Sequence, residues 1–220
     1  MRHDPIELAR GMLKEQSEAL ADLGGLLGDS FRAAVELILA TRDQVVLRGL
    51  GKSGLIARKI SATLASTGTP AIFMHPVEGV HGDLGAVGPS AVLVALSKSG
   101  HTDELVRFVG HFRRLGGKVI AVCEAKECAL AELSDVHLAM PARPEAGPLA
   151  LAPTTSTLLM LALGDALAMA LLDARGFSAE EFAKFHPDGS LGRRLLLRVA
   201  DVMHRGDEMP CVKGSVKFNE

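Results

Sequence analysis

Two near-identical tetrapeptides are the first candidates for chemistry in this 220-residue chain: Gly51-Lys-Ser-Gly54 and Ser97-Lys-Ser-Gly100. Each follows a compact apolar, β-branched run and opens a stretch with helical spacing, so each reads as the turn between a parallel strand and the next helix. Open parallel sheets bind ligands at such strand ends. There a helix N-terminus offers free backbone N–H groups and a positive dipole end to an anion. The hydroxyls of Ser53, Ser97, Ser99 and Thr102 can donate to phosphate oxygens or sugar hydroxyls. The second loop holds more of them and is the expected phosphate site. Ser and Gly are also ordinary caps and turn formers, and it is their doubling after apolar strands that points to an anionic ligand.

Sharper motifs fail on the first loop. A Walker A loop requires Gly where the chain has Val46. Gly49-Leu-Gly51-Lys-Ser-Gly54 does spell the dinucleotide fingerprint, but the acid that would hold a ribose is missing. The next strand ends in Phe73-Met74-His75-Pro76, and its first acid is Glu78, beyond the proline. The Gly-rich segment from His75 to Gly85 adds Glu78, His81 and Asp83 in a spacing unlike that of HExxH metal sites. Glu104 falls in the first turn of the helix after the second loop, where the dipole favours a carboxylate. Glu145 lies in the irregular stretch Ala142-Arg-Pro-Glu-Ala-Gly-Pro148, and His186 in a His-Pro-Asp-Gly-Ser turn.

The elements that must position these groups follow from the hydropathy period. Ile6–Leu23 and Ser30–Ala40 predict two helices separated at Gly24, Gly25 and Gly28. Strands are predicted at Gln44–Leu50, Ala71–His75, Ala91–Leu96, Lys118–Cys123 and Val136–Met140, with a helix over Thr102–Leu115. Strands that are apolar throughout and separated by helices imply parallel pairing with both faces covered. The expected fold is α/β, a three-layer α/β/α sandwich of flavodoxin type around a five-stranded parallel sheet. Further helices are predicted at Thr154–Ala174, Ser178–Lys184 and Ser190–Arg198. One domain is thus expected over residues 1–200, with helices in 1–41, the sheet core in 44–140 and helices in 153–198, and residues 201–220 begin something else.

Composition excludes several classes. Net charge is −2, and the aromatics are Phe alone, with no Trp or Tyr. Neither a basic footprint nor stacking platforms for nucleic acid are available. Cys123, Cys128 and Cys211 are odd in number and lack CxxC spacing, which suits a reducing cytoplasm. The first ten residues carry acids and no apolar core, so they do not read as a secretory signal. The apolar run Leu158–Leu172 contains Asp165 and falls short of a bilayer span, so it reads as a buried helix and no membrane association is expected.

Several stretches together resemble the sugar-isomerase (SIS) family, and within it the arabinose 5-phosphate isomerases. They are Gly49–Gly54, Ala65-Ser-Thr-Gly-Thr-Pro70, His81-Gly-Asp-Leu-Gly85, Ser97–Gly100, Leu151-Ala-Pro-Thr-Thr-Ser156, Gly164-Asp-Ala-Leu167 and Leu191-Gly-Arg-Arg-Leu195. Asp201-Val-Met-His-Arg-Gly-Asp-Glu208 is similar to the segment that opens the paired cystathionine-β-synthase (CBS) modules of longer members. The resemblance implies a cytoplasmic tetramer that interconverts D-ribulose 5-phosphate and D-arabinose 5-phosphate for synthesis of the lipopolysaccharide sugar Kdo, without a cofactor. By motif it places the catalytic Lys, two Glu and His on Lys52, Glu104, Glu145 and His186. It places substrate contacts on Gly68, Thr69, His75, His81 and the Ser97–Thr102 loop, and inhibition by zinc on His75. Two departures stand out: SNSGESSE is here Ser97-Lys-Ser-Gly-His-Thr-Asp-Glu104, and HPGG is His186-Pro-Asp-Gly189.

Aldose–ketose isomerisation moves a proton between C1 and C2 through an enediolate, which requires a base at carbon and a cation or donor at the oxyanion. Glu104 or Glu145 can be that base, Lys52 the stabiliser, and His81 or His186 the proton shuttle. A phosphosugar-binding regulator or an isomerase of another sugar phosphate would use the same loops.

Overall fold

The structure, a computed structural model, describes residues 4–75, 83–124, 127–186 and 199–209. The chain divides into two compact units, Met1–Phe177 and Ser178–Glu220. The first unit opens with helices α1 (Pro5–Leu26) and α2 (Asp29–Ala40), followed by β1 (Val45–Gly49), α3 (Gly51–Ser66) and β2 (Ala71–Phe73). A short 3-10 turn at Asp83–Ala86 leads to β3 (Val92–Leu96), α4 (Asp103–Arg114), β4 (Lys118–Cys123), α5 (Ala129–Glu132), β5 (Val136–Ala139) and α6 (Thr155–Ala174).

The five strands form one parallel sheet in the order β2-β1-β3-β4-β5, with Val45 opposite Ala71 on one side and Val92 on the other. Strand alternation sorts the interior into two cores. Val45, Leu47, Val92, Val94, Leu96, Ile120 and Val122 pack with α1, α2, α3 and α6. Val46, Leu93, Ala95, Val119, Ala121 and Cys123 meet Leu105, Phe108 and Phe112 of α4 and Leu130 of α5. Because both faces are covered, β1 and β3 are buried along their whole length, as the apolar runs predicted. The three-layer α/β/α arrangement is therefore the observed one.

Three sequence expectations need correction. Helix α1 continues through Gly24 and Gly25 to Leu26, because Ala19 and Leu23 bury against the core and packing outweighs the roughly 1 kcal/mol helix penalty of each glycine. The apolar run after Pro153 belongs to a 20-residue helix, long and apolar enough by length and composition to cross a membrane. It is nevertheless a core element, since Leu159, Leu163, Leu167 and Leu171 pack against α1, α2 and α3. The single-turn α5 was not foreseen, being too short to show a period.

The second unit contains α7 (Ala179–Phe185) and the short α8 (Val199–Val202). Ser178 and Glu181 form a capping box that starts α7. The helix expected over 190–198 lies outside the described residues.

Candidate functional site

Strands β1 and β3 are neighbours in the sheet although β2 separates them in the chain. This is the topological switch point, where connections leave adjacent strand ends toward opposite faces and open a crevice. The two Lys-Ser-Gly loops are the segments that flank it, for α3 lies on one face of the sheet and α4 on the other. In the first loop the backbone doubles back on itself. A Cβ at Gly49 would stand 2.8 Å from the Ser53 carbonyl carbon, and one at Gly54 would stand 2.7 Å from the Gly49 oxygen. No larger residue permits that turn.

The second loop is stitched from within. Ser97 is buried, its Oγ accepts from the Gly100 N–H at 3.1 Å, and it lies 2.9 Å from the Thr102 hydroxyl. Ser99 Oγ accepts from the His101 N–H at 3.2 Å. Gly100 has φ +72°, and a Cβ there would lie 2.1 Å from Cys128 Sγ, so the position excludes a side chain on both counts. Cys128 and Cys123 stand behind the loop as buried thiols with sulfurs 3.4 Å apart, and burial pushes the Cys123 thiol far up.

At the ends of β1 and β2, His75 joins Gly49, Gly51, Gly54, Leu55, Arg58 and Phe73 around a cavity of about 290 Å³. That volume is of the order of the smallest ligand pockets. Arg58, whose guanidinium stands over the Phe73 ring at 5.1 Å, is a cation that the sequence reading missed. Its signal was available, since it follows Gly54 by one helical turn. Lys52 and Ser53 stand in the first turn of α3, with Lys52 exposed. Glu104 is likewise exposed in the first turn of α4. Beneath the crevice, Arg48 is fully buried on β1 with its guanidinium 3.3 Å from the Phe108 centroid, and desolvation brings its pKa down to about 10. It keeps its charge at neutral pH and counts as a second cation unforeseen from sequence, where it read as strand.

Glu145 is a different kind of carboxylate. It is only 5% exposed, and its oxygens accept from Thr154 N–H (2.8 Å), Ser156 N–H (3.1 Å), Ser156 Oγ–H (2.5 Å) and Lys98 Nζ (2.7 Å). Burial opposes ionisation, but these donors and the head of α6 outweigh it and hold the carboxyl at about 2. A carboxyl lowered from 4.5 to about 2 contributes stability above pH 4.5 and loses it as pH falls toward 2. Acid unfolding followed by circular dichroism should therefore be flatter across that window in Glu145→Gln than in wild type. Parallel curves would show that the buried carboxylate is not held as described.

Gly68 and Thr69 sit in the turn before β2, where Pro70 O receives the N–H of Val45, the first residue of β1. That is the amino edge of the sheet, opposite the two loops, and Thr69 Oγ1 there accepts from Arg175 Nε at 3.1 Å. His186 caps the end of α7 in the second unit, its ring stacked on Phe182 at 4.1 Å and its Nδ1 donating to the Phe182 carbonyl at 3.0 Å. His81 lies outside the described residues. Among the described residues no group of three or more His, Cys, Asp or Glu side chains is arranged to hold a metal.

The sequence matches the SIS domain family over residues 38–170, more than half of the chain. The chain belongs to that family. Arabinose 5-phosphate isomerase KdsD of Escherichia coli K12 is 46% identical over 214 residues, which cover 97% of this SIS chain and 65% of that protein. KdsD of Pseudomonas aeruginosa is 49% identical over 209 residues, covering 95% of this chain and 64% of that one. The chain thus spans slightly under two thirds of the length of these relatives. The solved structure of E. coli CFT073 c3406 in complex with A5P matches at a TM-score of 0.79 with 35% identity, covering 83% of this chain and 97% of that one.

Proposed function

We propose that this SIS protein is an aldose–ketose isomerase acting on D-arabinose 5-phosphate and D-ribulose 5-phosphate. The observation that carries the reading is the pair of hydroxyl- and glycine-bearing loops flanking the β1/β3 switch point, in a chain close in sequence to KdsD proteins and close in fold to a protein solved with A5P. The hydroxyls of the Ser97–Thr102 loop and of Ser53 hold the phosphate, with His75 and His81 on the sugar, while Gly68 and Thr69, at the opposite edge of the sheet, are left out of this contact set. Glu104 moves the proton between C1 and C2. Its exposure favours it over Glu145, since a base serves best near the working pH and Glu145 is held at about 2. Lys52 stabilises the enediolate oxygen, and His186 or His81 shuttles protons at the sugar oxygens. Proton transfer of this kind draws only on carboxylate, imidazole and ammonium groups and requires no cofactor.

The same reading makes the protein a cytoplasmic homotetramer that supplies Kdo synthesis for lipopolysaccharide, with zinc inhibiting through His75. It also makes residues 201–220 the opening of a CBS region, which accords with the greater length of the relatives. Incubation of the 220-residue chain with D-ribulose 5-phosphate, with the aldose product followed, is expected to give turnover. Binding without turnover would leave a phosphosugar-binding module, and preference for another sugar phosphate would move the substrate.

A further inference from the structure

We propose that Lys98, through its ion pair with buried Glu145, is a positioning residue that fixes the Ser97–Thr102 loop against the head of α6 and so sets how tightly a sugar phosphate binds. The inference deepens the isomerase reading and rests on it for its substrate alone. The loop's backbone is already tied to the sheet side: Ser97 N–H donates to Val122 O, Glu124 N–H to Lys98 O at 3.0 Å, and Leu130 N–H to Gly100 O. None of those bonds reaches α6. The Lys98 side chain does, with Nζ 2.7 Å from Glu145 Oε1, while both Glu145 oxygens are held by the first residues of α6 and its cap. The pair thus joins the loop that leaves β3 to the helix on the far face of the sheet.

The electrostatics favour the same role. The Lys98 side chain is 39% exposed and that of Glu145 is 4% exposed, so a cation at the rim neutralises a carboxylate in the interior. Removing one partner of such a pair leaves an uncompensated buried charge. Glu124, just past the end of β4, adds a second carboxyl to the neighbourhood; burial and the Glu145 charge raise its pKa and Lys98 lowers it. Without Lys98 the loop would have Glu124 and Glu145 near it and would lack the ammonium that now pairs with Glu145, which opposes a phosphate dianion. The lysine replaces the asparagine of SNSG, which cannot supply that charge.

The test compares Lys98→Met and Lys98→Arg with the wild-type chain by amide hydrogen exchange and by steady-state isomerisation of D-arabinose 5-phosphate. In Lys98→Met the Gly100 and His101 amides should exchange at least ~10-fold faster. KM should rise at least ~10-fold with kcat within about threefold, the signature of lost uniform binding rather than lost chemistry. Lys98→Arg, which keeps the charge, should restore both. Should Lys98→Met fail to fold, Lys98→Met/Glu145→Gln removes the unpaired buried charge and should still show the faster exchange. Unchanged loop exchange, unchanged KM, or an equal loss in Lys98→Arg would overturn the proposal. Absence of turnover in the wild-type chain would instead sink the isomerase reading, and exchange would still decide the role of Lys98.

Discussion

Replacing Glu104 by Gln is expected to lower kcat by ~10²–10⁴-fold, the usual worth of a general base, with little change in melting temperature. The side chain is exposed in the first turn of α4, directly after the hydroxyl loop, so the amide costs no packing. The same change at Glu145 should behave differently, because it strips a buried carboxylate from Lys98, Ser156 and the Thr154 amide. Stability should fall there by a few kcal/mol, within the range for breaking a buried pair, before any effect on proton transfer is counted. Wild-type turnover in Glu104→Gln, measured under substrate saturation, would remove it as the base and return that role to Glu145.

His186→Ala is the second large effect, at least ~10²-fold in kcat. A local view predicts near silence, for the residue ends a seven-residue helix and its Pro-Asp-Gly sequence context marks no site. Its bonding suggests otherwise. A carbonyl can only accept, so the bond to Phe182 O assigns the Nδ1 proton and makes Nε2 the nitrogen that can take one. Loss of one ring stack and one hydrogen bond should cost about 1–2 kcal/mol, and so only a few degrees in melting temperature. A variant that loses activity in step with unfolding would make the histidine structural, and one with full turnover would exclude it from the mechanism.

What the sequence revealed depends on how local the determining physics is. Strands β1, β3 and β4 were visible because a strand buried on both sides is apolar nearly residue by residue, and β4 was bounded to the residue. The two loops were visible because a tight turn into a helix needs small residues in fixed order. The glycines of α1 misled because the burial of Leu23 is decided by distant residues of the same core. The same holds for charge. Nothing near Lys98 in the chain announces Glu145, 47 residues on, and the cation by which this loop departs from SNSG is engaged by a carboxylate. Arg48 sat in an otherwise apolar strand, and its place over Phe108, which helps its burial to be tolerated, is not visible from the chain.

The packing of α1 and α2 has a kinetic consequence. These helices are synthesised before the rest of this core, and their buried residues Leu23 and Ile38 lie against β5 and α6, the latter beginning only at Thr155. At translation rates of roughly 5–20 residues per second, the N-terminal helices wait on the order of ten seconds for their partner. The sheet compounds the delay, because its central β1–β3 pairing joins Val45 to Val92 and must close a long loop before it gains anything. During synthesis, therefore, an amphipathic helical pair waits with its apolar face lacking its β5 and α6 partners, and that interval is when holding chaperones and off-pathway association compete for the chain.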